Sequence, residues 1–122
     1  MKKILTEKAP PVVGPYSQGI IVNDLIFTSG QIGTDPKTGL LVDGFEAQAE
    51  LCCLNVKAIL EEAGSGMDKV IKATCFLTDM NNFTTFNAIY EKHFISVPAR
   101  SCVAVKELPK GAICEIEAIA MK

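Results

Sequence analysis

Phe45-Glu-Ala-Gln-Ala-Glu-Leu-Cys-Cys-Leu-Asn-Val-Lys-Ala-Ile-Leu-Glu-Glu-Ala63 is the stretch that orders the rest of the chain. From Ala49 on, Cys52, Cys53, Val56, Leu60 and Ala63 recur at helical spacing, while Glu50, Lys57 and Glu61 fall off that stripe. Asp43, three residues before Glu46, reads as a capping box, and Gly64 and Gly66 supply a stop. The pattern predicts an amphipathic helix over about residues 45–63.

Working outward, residues 19–29 hold two β-rich runs around Asn23-Asp24, a pair that tolerates the positive φ of a hairpin turn. Residues 34–39 collect turn formers and read as a loop. On the other side, residues 69–78 read as a strand. Asp79 or Asn81 then caps a second helix, whose Phe83, Phe86, Tyr90 and Phe94 share a face. Pro98 ends that helix region, and strands over 99–105 and 112–121 follow, joined by a turn containing Pro109 and Gly111. The order ββ, α, β, α, ββ predicts an α+β layer of two helices on one sheet.

With 122 residues, 48% of them hydrophobic, the chain suits one domain with a sizeable core. Twelve Lys and Arg against fourteen Asp and Glu, with neither sign in a block, argue against a phosphate-backbone binder. No segment approaches the ~18 apolar residues of a membrane span, and Met1-Lys2-Lys3-Ile4-Leu5 opens like an export signal but its apolar run ends after two residues, so the expected location is the cytosol. Five cysteines, with no C-x-x-C spacing and only His93 as a possible partner, read as reduced thiols rather than disulfides or a metal site. A mean hydropathy of +0.26 points to apolar surface hidden in an oligomer.

Arg100 is the sole Arg beside eleven Lys, and it stands in the apolar context Val97-Pro98-Ala99-Arg100-Ser101-Cys102-Val103. A strand there puts Arg100 and Cys102 on one face. An enclosed guanidinium needs an anion, and its fork suits a carboxylate from a ligand or, equally, from Glu115 or Glu117. Those two glutamates share a strand face: burial would suit one for acid–base work, and partial solvation would make both ordinary surface charges. Gly14-Pro15-Tyr16-Ser17-Gln18-Gly19 and Thr28-Ser29-Gly30-Gln31 are turn-rich ends where a ligand can approach the backbone. A Cys102–His93 nucleophile pair is a weaker alternative.

Gly14-Pro-Tyr-Ser-Gln-Gly19, Phe27-Thr-Ser-Gly-Gln-Ile-Gly33, Asn55 with its helix, Pro98-Ala-Arg-Ser-Cys-Val103 and Glu115-Ile-Glu-Ala118 together resemble the RidA (YjgF) family over nearly the whole chain. The resemblance implies a chorismate-mutase-like α+β domain, assembled as a homotrimer with clefts between subunits. It also implies cofactor-free deamination of 2-imino acids and their enamine tautomers, released by pyridoxal-phosphate dehydratases. Carried over, Arg100 holds the substrate carboxylate with the Gly30 N–H, and Ser29 lies beside them. The Cys102 carbonyl positions the imine nitrogen, Glu115 activates water and Tyr16 closes the cleft. Phe86 and Asn87 form walls from a neighbouring subunit. The segment between Asn87 and Pro98 is about one helical turn shorter than the family usually has, which would alter the cleft rim. The rival expectations are a non-catalytic 2-oxo-acid-binding regulator, a translation inhibitor or endoribonuclease, and a chaperone.

Overall fold

The computed structural model describes residues 1–122. Its six strands are β1 (Lys2–Ile4), β2 (Gly19–Val22), β3 (Leu25–Thr28), β4 (Val70–Leu77), β5 (Ala99–Ala104) and β6 (Cys114–Met121). The two helices are α1 (Phe45–Glu62) and α2 (Phe83–His93). The sheet runs β1-β2-β3-β6-β4-β5, antiparallel throughout except for the parallel β4–β5 pair. This is the expected mixed sheet with two helices, extended by one strand. Strand β1 escapes the sequence pattern because its three residues include two exposed lysines, and only pairing to β2 makes them a strand.

The β2–β3 hairpin turns at Asn23 with φ of 53°, the left-handed conformation that Asn tolerates. Helix α1 forms as expected but starts differently. Gly44 is its N-cap, at φ 91° and without a side-chain bond, which leaves Asp43 one position too early to close a capping box with Glu46. Glu46 in the first turn still complements the helix dipole. At the other end Gly64 N–H donates to Glu61 C=O and Ser65 N–H to Leu60 C=O, with Gly64 at φ 80°, a Schellman ending. Asp79 caps a short 3₁₀ turn by accepting from Asn81 N–H, and α2 follows directly from it.

The core lies between α1 and the sheet, where Cys52, Cys53, Val56, Ile59 and Leu60 meet Cys75, Leu77, Cys114, Ile116 and Ala120, all fully buried. All five cysteines are free, as expected. Burial pushes the Cys75 thiol up to about 12 and raises those of Cys52 and Cys53, so these are inert core side chains. Along β6, Cys114, Ile116 and Ala118 face the core, so Glu115, Glu117 and Ile119 point to the other, uncovered face. On β5 the relation is reversed: Arg100 rests on the rings of α2 and Cys102 packs against the core.

Asn55, on α1 and 1% exposed, donates its amide to the carbonyls of Ile32 and Thr34 and so pins the loop after β3. Asn55→Ala leaves both carbonyls without that donor. It is expected to cost about 2 kcal/mol, read as an earlier denaturation midpoint at unchanged m-value.

Candidate functional site

The centre of the site is a bulge. Strand β3 pairs with β6 as far as Phe27↔Ile119, and the chain rejoins β6 at Gln31↔Ile116. Three residues on one side thus lie opposite two on the other, with the Thr28 hydroxyl accepting from Ala118 N–H in between. Ser29 and Gly30 are pushed out of the ladder. Ser29 is tied down from both groups, its N–H to Gln18 C=O and its hydroxyl to Ser17 C=O. The Gly30 N–H donates to nothing in the chain, a spare donor at the floor of a cleft.

That cleft, about 270 Å3, is lined by Tyr16, Gly30 and Glu115 together with Pro11, Gln31 and Lys110. Gln18 builds its outer wall. Its amide donates to the carbonyls of Thr6 and Pro10 and its oxygen accepts from Thr6 N–H, which fastens the N-terminal segment against the hairpin. The Glu115 carboxylate lies so close over Gly30 that a Cβ there would sit on Oε1, with Cδ at 2.8 Å. Burial, reinforced by the neighbouring charge of Glu117, raises the Glu115 carboxyl pKa above the usual carboxylate range. Gly30→Ala is therefore expected to displace the carboxylate and lower activity about tenfold or more with the fold intact, checked by circular dichroism beside a turnover assay.

Arg100 lies elsewhere. It projects from β5 on the helix-covered face, its guanidinium carbon 4.7 Å from the Tyr90 ring centroid and 5.6 Å from that of Phe83. The chain's two ion pairs are Lys57–Glu61 and His93–Glu50, so no carboxylate lies within 4.0 Å of Arg100. Neither Glu115 nor Glu117 is its partner, since both leave the opposite face of the sheet. Arg100 lines a second cleft of about 560 Å3 with Asn87, Tyr90, Phe94, Ile95 and Pro98. The short segment before β5 forms its rim, where Val97 is 87% exposed at φ 50°.

One chain thus brings together Tyr16, Gly30 and Glu115, and separately Arg100 and Asn87. Phe86 belongs to neither cleft. It is fully buried between Phe45 and Tyr90, so the ring belongs to the core and is not the cleft wall that the resemblance implied. Ser29 lines neither cleft, and its hydroxyl already serves the bulge. The Cys102 thiol sits on the core side with its pKa raised by burial, and His93 pairs at 2.9 Å with Glu50, so a Cys–His nucleophile pair is not formed. The sequence reading passed over Gln18, Gln31 and Lys110, whose roles depend on the bulge and the turn after β5. The one available signal was an amide next to a single glycine in Ser17-Gln18-Gly19 and in Gly30-Gln31-Ile32.

The cleft around Glu115 offers a base and a hydrogen-bond donor, and the cleft around Arg100 offers an unpaired cation. The profile of the family described as Endoribonuclease L-PSP matches residues 6–122. The 2-iminobutanoate/2-iminopropanoate deaminase of Salmonella typhimurium is 48% identical, over 99% of this chain and 98% of its own. Among solved structures, E. coli TdcF with bound serine superposes with a TM-score of 0.96 at 44% identity, covering 100% of this chain and 99% of that one. RidA from the Antarctic bacterium Psychrobacter sp. PAMC 21119 superposes with a TM-score of 0.97 at 42% identity and full coverage of both. With the profile, the sequence and the six-stranded fold in agreement, the chain belongs to the RidA/YjgF family.

Proposed function

We propose that the protein hydrolyses 2-imino acids and their enamine tautomers, such as 2-aminoacrylate, 2-iminopropanoate and 2-iminobutanoate, to 2-oxo acids and ammonia. The site in this reading is shared between copies of a homotrimer. The observation that carries it is the Glu115 carboxylate lying over the α-carbon of Gly30, whose N–H is unbonded, in a Tyr16-lined cleft, with the unpaired Arg100 on the opposite face. A second copy that presents its β5–α2 edge to the cleft supplies the missing cation. The uncovered sheet face, with Phe27 38% and Met121 50% exposed, supports such packing.

In this arrangement Arg100 grips the substrate carboxylate through two N–H donors, and Gly30 N–H adds a third. The iminium carbon is already electrophilic, so the chemistry needs an oriented water and a modest base. Glu115 takes a proton from water as its oxygen bonds to carbon and the C=N π pair moves to nitrogen. Glu115 then returns that proton to the carbinolamine nitrogen; as the C–N bond breaks, the hydroxyl O–H pair forms C=O and its proton passes through the Glu115 carboxylate to the departing ammonia, which restores the base. Tyr16, half exposed at the mouth, closes over the ligand. No covalent nucleophile is required, so Cys102→Ser is expected to keep at least about half of wild-type turnover, measured by the same imine-decay assay.

The substrates in this reading come from pyridoxal-phosphate-dependent dehydratases in the cytoplasm. Ribonuclease chemistry is less well supported, because the net charge is −2 and the single His is engaged with Glu50. The test is the decay of 2-aminoacrylate generated in situ by a dehydratase, with wild type and Arg100→Ala side by side. Acceleration by wild type alone supports deamination here, and no acceleration by either leaves a 2-oxo-acid-binding protein.

A further inference from the structure

Arg100 is held by rings rather than by charge. Phe83, Asn87, Tyr90 and Phe94 follow at spacings of four, three and four along and just beyond α2, which places them on one stripe. Tyr90 stacks on Phe94, with centroids 4.2 Å apart and planes 9° from parallel, and the guanidinium lies over Tyr90 at 4.7 Å. Phe83 flanks the same guanidinium at 5.6 Å. A guanidinium over an aromatic face keeps its in-plane N–H donors free for a planar anion. The Tyr90 hydroxyl is buried and has no partner, so the ring is the part of Tyr90 in use.

We propose that Tyr90, with Phe83, is a positioning residue that fixes the Arg100 guanidinium for the substrate carboxylate and sets substrate affinity rather than the rate of the chemical step. This rests on the deaminase reading only for the identity of the substrate. A carboxylate anchor is gripped alike in the ground and transition states, so loosening it raises KM and leaves kcat in place. The stack also gives the guanidinium its contacts where no carboxylate lies beside it.

The experiment compares wild type with Tyr90→Phe, Tyr90→Leu and Phe83→Leu. It measures KM and kcat for the imine, Kd for 2-oxobutanoate by calorimetry, and the thermal unfolding curve. Tyr90→Leu is expected to raise KM and Kd about 5- to 20-fold with kcat within about twofold, and Tyr90→Phe to match wild type within about twofold. Phe83→Leu, at the longer distance, is expected to raise both about two- to fivefold, and it decides the matter should Tyr90→Leu not fold. Unchanged KM and Kd in a folded Leu variant would overturn the proposal, as would a loss in Tyr90→Phe equal to that in Tyr90→Leu. Wild type that binds 2-oxobutanoate without turning over the imine would sink the deaminase reading while the Kd values still judge the clamp.

Discussion

Arg100→Ala is expected to lower kcat/KM for 2-iminobutanoate by about 30- to 150-fold, the effect of losing a two-pronged charge-assisted grip of ~2–3 kcal/mol. The same change is expected to leave the fold nearly as stable, by thermal unfolding, because the guanidinium has no ion-pair partner and loses only its contacts with two rings. That combination separates a ligand-holding Arg from a structural one. An Arg buried against Glu115 or Glu117 would have left an orphaned carboxylate on removal and cost several kcal/mol. Comparable turnover in Arg100→Ala and Cys102→Ser would show that the roles have been assigned to the wrong side chains.

Glu115→Gln is the other large effect, with an expected loss of about 10²- to 10⁴-fold in kcat, the usual contribution of a positioned general base. The pH profile carries the sign. The Glu115 pKa is raised first by burial and then by the charge of Glu117. A carboxyl with a raised pKa is protonated, and useless as a base, over a pH range in which an ordinary carboxylate is already ionised. Wild-type kcat is therefore expected to fall on the acid side, with its midpoint above the ordinary carboxylate range. Glu117→Gln removes the like charge, lowers that pKa and moves the acid limb to lower pH. A limb that stays put in Glu117→Gln, or a Glu115→Gln variant with wild-type kcat, would remove Glu115 from the chemistry.

Much of this was legible in the residues, and the parts that were not share a cause. Helix α1 could be read because eighteen residues carry one apolar stripe between two glycine-bearing ends. Its capping box could not, since the residue that takes the N-cap depends on the chain direction out of the preceding loop, and Gly44 at φ 91° occupies it. Strand β1 exists only through its partner β2. Alternation told correctly that Arg100 goes with Cys102 and Glu115 with Glu117. Which face of the sheet each pair takes depends on the order β6-β4-β5 and on where α2 lies, and both are tertiary facts. Phe86 illustrates the same limit: periodicity placed it on the stripe with Tyr90, and only packing against Phe45 turned it inward.

The opposite orientation of Arg100 and Glu115 makes the central claim directly testable. Arg100→Ala and Glu115→Gln, each strongly impaired alone at substrate well below the KM of Arg100→Ala, are co-expressed under different tags, and the mixed oligomers are purified and assayed for 2-aminoacrylate decay under that condition. A site built from two copies is expected to regain about a third of wild-type activity, since in every mixed closed trimer one of the three junctions joins the intact Glu115 of one copy to the intact Arg100 of the next. No recovery in mixed oligomers would contradict the account and return both residues to a site within one chain.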